Sequence, residues 1–277
     1  MRYGLKEILD LAEEGNFAVP AFNVYNLEML MGVMRAAEET KAPVIIQMYS
    51  RLFDTETGKR LAPSIIDAMN ELKTPVAFHL DHGAGEKEVL SAIRLGATGV
   101  MIDASLKPFE ENVAVTEKVV KTAHAVGVGV EAEIGHVGSA SDEKTGVYTE
   151  TADAVEFVEK TGVDALAIMV GTAHGRYKKA PVLAIDRIAE IHKNTSAHLV
   201  LHGGSGVPDD QIKAAVQAGI RKINYATDLC YAFVEGFIGT DPLSAPLDIN
   251  LSKAADVVKD LAINRIKVFG ADRYSKR

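Results

Sequence analysis

Apolar runs recur along the chain at intervals that leave room for a helix between neighbours. They cover Ala18 to Asn23, Pro43 to Tyr49, Pro75 to Leu80, Gly99 to Asp103, Gly127 to Glu133, Val163 to Gly171, Ala197 to His202 and Arg221 to Asn224. Each predicts a buried strand. Between them a helical period returns over Leu27 to Glu39, Ala62 to Leu72, Glu86 to Leu95, Phe109 to Val126, Ala152 to Thr161, Ala184 to Lys193 and Asp209 to Ala218. Gly96, Gly127, Gly162 and Gly219 stand where a left-handed residue ends a helix before the next strand. Strand and helix alternate eight times, and the strands are almost uninterrupted in their hydrophobicity. That combination implies a parallel sheet covered on both faces.

A closed (β/α)8 barrel, a TIM barrel, is the α/β fold this pattern predicts. An open doubly wound sheet would carry a glycine fingerprint after its first strand, and here Phe22-Asn23-Val24-Tyr25-Asn26 follows instead. An extra N-terminal helix, Leu5 to Glu14, is placed to plug the lower end of the barrel. Two additional C-terminal helices are expected over Leu229 to Gly239 and Leu251 to Phe269. The last has an apolar stripe, Val257, Val258, Leu261 and Ile266, that packs on its own barrel or on a partner. A length of 277 residues suits one such domain, residues 1–277. With one cysteine, Cys230, no internal disulfide can form, which points to a reducing, cytoplasmic setting. No apolar run approaches a membrane span, and the N-terminus lacks the pattern of an export signal. A net charge of −8 argues against a general nucleic-acid binder but leaves room for a locally positive anion site.

The candidate chemistry lies at the strand ends. Asp81-His82-Gly83, His174-Gly175 and His202-Gly203 each follow a different apolar strand, and in a barrel those ends converge on one face. Three neutral imidazoles leave an open position on zinc for a substrate oxygen. Asp81 would then sit beside that substrate, able to take or give a proton. Asp103 closes the fourth strand, and Glu131 and Glu133 share one face of the fifth because side chains alternate along a strand. Gly203-Gly204-Ser205-Gly206 and Asn224-Tyr225-Ala226-Thr227 each precede a helix and offer backbone N–H groups and hydroxyls to a phosphate. Lys178 and Lys179 can add charge there. Asn23, Ser50 and Arg51 close the first two strands on the same face and join the candidate substrate contacts. The Arg51 guanidinium suits a carboxylate or phosphate on the far half of a substrate; the alternative is a surface pair with Asp54 or Glu56. Lys222 reads as surface-facing, below the catalytic level, which disfavours a Schiff-base mechanism.

The runs His79-Leu80-Asp81-His82, Met101-Ile102-Asp103-Ala104-Ser105, Glu131-Ala132-Glu133-Ile134-Gly135, Gly171-Thr172-Ala173-His174-Gly175, Leu201-His202-Gly203-Gly204-Ser205-Gly206 and Lys222-Ile223-Asn224 resemble the class II ketose-bisphosphate aldolases. The similarity runs in order from about Tyr3 to Gly270. It implies a lyase that cleaves a phosphorylated ketose, a ketose 1,6-bisphosphate, to dihydroxyacetone phosphate and an aldehyde. It further implies that His82, His174 and His202 hold a catalytic zinc and that Asp81 transfers the proton. A second divalent metal near Asp103 and Glu133 follows from the same resemblance. So do a dihydroxyacetone-phosphate site at Gly175, Gly203 to Ser205 and Asn224 to Thr227, an adjacent monovalent cation (Na+ or K+), and a homodimer or homotetramer.

Three stretches depart from the family pattern. Ser141 stands in Gly138-Ser139-Ala140-Ser141-Asp142-Glu143 where the family's mobile-loop glutamate is expected. Tyr49-Ser50-Arg51-Leu52 replaces a turn of small residues, and Lys253 is the best match for the basic residue toward the distal phosphate. A zinc-dependent isomerase or epimerase that uses the same enediolate, and an idle barrel that binds sugar phosphate, are the alternatives these departures leave open.

Overall fold

The computed structural model describes residues 1–140, 148–239 and 245–276. In chain order the elements are α1 (Leu5–Gly15), β1 (Val19–Asn23), α2 (Leu27–Thr40), β2 (Val44–Tyr49), α3 (Ser50–Phe53), α4 (Glu56–Glu71), β3 (Val76–Gly83), α5 (Glu86–Arg94), β4 (Gly99–Ile102), α6 (Phe109–His124), β5 (Gly129–Ile134), α7 (Thr151–Thr161), β6 (Ala165–Ile168), α8 (Ile185–Asn194), β7 (His198–Leu201), α9 (Asp209–Ala218), β8 (Ile220–Tyr225), α10 (Thr227–Ile238) and α11 (Leu247–Phe269). The strands are parallel and close in order from β1 round to β8, which pairs back onto β1 through Ala21 opposite Asn224. This is the (β/α)8 barrel that the periodicity predicts. All four expected glycines do end their helices with positive φ, from +68° at Gly162 to +122° at Gly219.

The helix α1 seals the barrel from below. Its apolar face, Leu5, Ile8, Leu9 and Ala12, is wholly buried. Leu5 enters between β4 and β5, and a side chain at Gly99 would put its Cβ 2.7 Å from the Leu5 Cβ, so this close approach needs glycine. Polar ties hold the helix down: Asp10 lies 2.8 Å from His198 Nε2, and Arg221 Nε donates to Glu13 at 2.7 Å. At the other end of the chain α11 packs against α2 and α10. Val258 and Ile266 of its stripe are buried, whereas Val257 stays exposed.

The structure revises several boundaries. The short α3 was not expected, and α4 begins at Glu56 rather than Ala62, with Thr55 accepting a capping bond from the Gly58 N–H. Strand β3 continues past Leu80 to Gly83. Among the described residues, no helix is long and apolar enough to cross a membrane.

Candidate active site

The extension of β3 shapes the site. Successive residues of a regular strand point to opposite faces, so Asp81 and His82 cannot both face inward on an undisturbed β3. His82 takes φ +51°, and the register with β4 shifts between Leu80 and Gly83. An extra residue in a strand re-aims its side chain in this way. Gly83 lets the chain pass, since a Cβ there would lie 2.5 Å from the Met101 carbonyl oxygen. Both side chains consequently line one cavity of about 480 Å³ at the upper end of the barrel.

Strands β3, β6 and β7 then deliver three imidazoles to one point. The ring centroid of His82 lies 5.0 Å from that of His174 and 4.8 Å from that of His202, and one nitrogen from each ring falls within 4.8 Å of the others. His82, Asp103 and Glu133 form a second such group. Outer partners fix which nitrogen faces in. His82 Nδ1 bonds Asp103 Oδ2 at 2.8 Å, and Ser105 Oγ donates to the other Asp103 oxygen at 2.7 Å. His202 Nε2 bonds Glu131 Oε1 at 2.8 Å, leaving Nδ1 3.2 Å from Glu133 Oε2. Carboxylates behind ring nitrogens are the usual outer shell of metal-bound histidine. His174 Nε2, His202 Nδ1 and Glu133 Oε2 are buried polar atoms without a hydrogen-bond partner. Orphans of this kind are costly, and a cation held among these side chains would offset that cost. The donor set therefore fits a divalent metal.

Asp81 sits beside the triad, 3.8 Å from His82 Nε2. Asn23 Nδ2 donates to one carboxylate oxygen at 2.7 Å and Asn224 Nδ2 to the other at 3.1 Å. Burial opposes its charge, but His82, His202, Lys222 and the Asn23 bond outweigh burial and hold the carboxyl below its ordinary range. Burial likewise opposes ionisation of Glu131 beneath it, yet Lys222, His202 and His79 keep that group far below the usual carboxylate range. Lys222 corrects the sequence reading. It is fully buried and points into the barrel, with Nζ 2.8 Å from Glu131 Oε2 and 2.5 Å from Asn224 Oδ1.

Of the other expected contacts, Asn23, Arg51, Gly175, Gly203, Ser205, Asn224, Ala226 and Thr227 line the cavity. Gly203, at φ +66°, passes so close that a Cβ would lie 2.3 Å from the Ala173 carbonyl oxygen. Tyr177 Oη clamps the same place, accepting from the Ala173 N–H and donating to the Gly203 carbonyl, each at 2.8 Å. Ser205 Oγ accepts from the Asp228 N–H at 3.2 Å in the first turn of α10. Gly204 packs against Ile223 and Asn224, and Tyr225 turns outward to donate to Asp228 at 2.8 Å; neither lines the cavity. Nor do Ser50, Lys178, Lys179 or Lys253, the last three being exposed. Arg51 forms neither surface pair open to it among the described residues. Asp54 faces Lys87 at 3.8 Å, and the guanidinium lies over the Tyr49 ring at 4.6 Å and the Tyr25 ring at 6.0 Å. The loop after β5 is strapped across the site by His174 N to Gly138 O and Ala140 N to His174 O, both 2.8 Å. Ser141 lies outside the described residues.

Sequence reasoning missed Tyr25, Tyr49 and His136 on the cavity wall, and Gln47 and His79 beneath it. Alternation offers a signal for two of them, since His79 and Asp81 share one face of β3 and Gln47 lies opposite His79 in the register. His136 lies two residues past the end of β5, within 3.0 Å of Ser105 Oγ and 3.6 Å of Glu133 Oε1.

The family model described as fructose-bisphosphate aldolase class-II matches residues 3–273. A fructose-bisphosphate aldolase of Geobacillus stearothermophilus is 39% identical, the match spanning 96% of each chain. A sulfofructosephosphate aldolase of Alkalicoccus urumqiensis is 38% identical, over 98% of this chain and 97% of its own. The crystal structure of the YdjI aldolase from Escherichia coli K12 superposes with a TM-score of 0.90 at 35% identity, covering 98% of both chains. The chain therefore belongs to the class II fructose-bisphosphate aldolase family, and it is an aldolase, a carbon–carbon lyase.

Proposed function

We propose that this enzyme is a zinc-dependent aldolase that reversibly cleaves a phosphorylated ketose, a ketose 1,6-bisphosphate, into dihydroxyacetone phosphate and an aldehyde. The observation that carries this reading is the convergence of His82, His174 and His202 next to a buried, amide-held Asp81. His82 through Nε2, His202 through Nδ1 and His174 would hold the zinc, with Asp103 and Glu133 beside His82 as a second position. When bound, the metal supplies Lewis acidity that polarises the ketose carbonyl.

The side chains supply the proton transfer and the grip. Cleavage breaks the bond between C3 and C4: the C4 hydroxyl gives up its proton as it becomes the aldehyde, and the electron pair left on C3 spreads into the carbonyl as an enediolate. Asp81, ionised and aimed into the cavity, takes that proton; in condensation it returns it. A proton from solvent completes dihydroxyacetone phosphate at C3. Gly175, Gly203, Ser205, Asn224, Ala226 and Thr227 surround the phosphate-bearing half, where backbone N–H groups at the start of α10 favour an anion. A monovalent cation, sodium or potassium, belongs beside this phosphate by family resemblance. The two relatives named for fructose bisphosphate and for sulfofructose phosphate support a ketose phosphate with a second anionic group. Tyr231, Val234 and Ile238 on α10 and Leu247, Ile249 and Val257 on α11 are exposed apolar side chains that suit pairing with a second copy in a homodimer or homotetramer. A free thiol at Cys230 fits a cytoplasmic enzyme.

The test is a panel of ketose mono- and bisphosphates assayed for release of dihydroxyacetone phosphate and aldehyde in equal amounts. A chelator should abolish activity and zinc restore it, whereas borohydride with substrate should leave the enzyme active. Interconversion of ketoses without aldehyde would move the assignment to an isomerase or epimerase, and inactivation by borohydride would overturn the metal reading.

A further inference from the structure

Beneath the cavity lies an ammonium group that the chemistry above does not use. Lys222 has no access to solvent. Its Nζ touches two acceptors, Glu131 Oε2 at 2.8 Å and Asn224 Oδ1 at 2.5 Å. The second contact settles a choice. A carboxamide presents an acceptor oxygen on one side and a donor nitrogen on the other, and either could face Asp81. Lysine can only donate, so it takes the oxygen of Asn224 and leaves Nδ2 to donate to Asp81 Oδ1 at 3.1 Å. The opposite side is built alike: Gln47 Nε2 donates to Asn23 Oδ1 at 3.1 Å, and Asn23 Nδ2 donates to Asp81 Oδ2 at 2.7 Å. Each Asp81 oxygen thus accepts from an amide whose own oxygen accepts from another buried side chain, and at Asn224 that side chain can only donate.

We propose that Lys222 is a positioning residue for the aldolase reaction: by capturing Asn224 Oδ1 it commits the Asn224 carboxamide to donate to Asp81 and so fixes the direction in which the Asp81 carboxylate presents its free lone pairs. Without that capture the Asn224 oxygen can swing toward Asp81, where two acceptors meet and the carboxylate turns away. The competing role is that of a counter-ion to Glu131 and nothing more. The proposal rests on Asp81 being the proton carrier of the reaction.

Lys222→Met alone would strand the buried Glu131 carboxylate and destabilise the barrel, so the test removes both charges together. Two variants are compared, Lys222→Met with Glu131→Gln, and Lys222→Gln with Glu131→Gln. Gln at position 131 keeps an oxygen for the His202 Nε2–H, and the two proteins differ in whether position 222 can donate to Asn224. Both are loaded with zinc, checked for metal content and thermal stability, and assayed for kcat and KM in aldol cleavage and for solvent-deuterium exchange into dihydroxyacetone phosphate. The Met variant is expected to lose about 10- to 100-fold in kcat, the scale of a misplaced catalytic group, with KM for the ketose and metal content unchanged. The Gln variant is expected to regain most of that loss. A second arm adds Asn224→Ala to each. On that background Met and Gln should perform alike, because the group they orient is gone. Equal kcat for Met and Gln with Asn224 present would overturn the proposal in favour of the counter-ion role, as would a Met–Gln difference that persists without Asn224. A wild-type enzyme that neither cleaves ketose phosphates nor exchanges the proton would instead overturn the aldolase reading on which the proposal stands.

Discussion

Asp81 and His82 are adjacent in the chain, yet both face the same cavity, because His82 turns the strand through a left-handed residue at φ +51°. A side chain in that region costs roughly 1–2 kcal/mol that glycine does not incur. His82→Ala, His174→Ala and His202→Ala are each expected to lose the metal and nearly all activity, since three ligands are the minimum for such a site. His82→Gly should lose the metal as well. In the metal-free state, however, it should be more stable than His82→Ala by about 1 kcal/mol. Urea denaturation of the two apoproteins measures the difference, and equal midpoints would mean that no strain is held there.

Asp81→Asn should keep its metal and fold while turnover falls by roughly two to four orders of magnitude, the worth of a placed acid–base group. Metal analysis alongside steady-state kinetics separates this outcome from loss of the site. Turnover within a few-fold of wild type would remove Asp81 from the proton transfer.

His202 links metal loading to pH. Burial alone would keep its ring neutral, but the hydrogen bond to Glu131 and the adjacent carboxylates of Glu131 and Glu133 push its pKa up from 6.5 to about 10. The metal-free folded protein thus holds a proton there at neutral pH that the unfolded chain has partly or wholly given up. Its contribution to apoprotein stability is fully present below the unfolded value and is lost as pH rises through the folded one. Ligation through Nδ1 must expel that proton, so zinc binding at pH 8 should release about one proton from this ring. Titration calorimetry in buffers of different ionisation enthalpy reads the number directly, and heats independent of buffer would contradict it.

Arg51 should affect one half of the substrate only. Its guanidinium rests on Tyr49 and Tyr25 at the cavity wall and makes no ion pair among the described residues, which leaves its donors for an incoming anion. Arg51→Met is expected to raise KM for an anionic ketose substrate by about tenfold, the loss of one charge-assisted contact. Affinity for dihydroxyacetone phosphate alone should not change. Kinetics unaltered across the whole substrate panel would dismiss the role.

The barrel is legible in the sequence because helices cover its strands outside and packed side chains fill them inside, leaving nearly unbroken apolar runs. The histidines stand out because each follows such a run with glycine beside it. What the pattern hides is the polar interior. Gln47, His79, Glu131 and Lys222 sit within runs that read as strands, and their partners lie on other strands: His79 and Lys222 pair with Glu131, and Gln47 with Asn23. Lys222 reads as exposed because a lone lysine is rarely buried, and its partner Glu131 lies ninety-one positions earlier. The left-handed turn at His82 is equally invisible, since only glycine advertises such a backbone.

The seating of α1 also sets a problem of timing. The helix precedes every strand of the barrel in the chain, but the groups that hold its polar face, His198 and Arg221, lie 188 and 208 residues after their partners Asp10 and Glu13. Until β7 and β8 exist, Leu5, Ile8, Leu9 and Ala12 have no complete floor to rest on, and the helix trails from a growing barrel with its apolar side uncovered. Long sequence separation of this kind slows folding and prolongs the exposure of sticky surface. A fully closed lower end thus comes with a helix that precedes the barrel in the chain and is among the last of its elements to find its place.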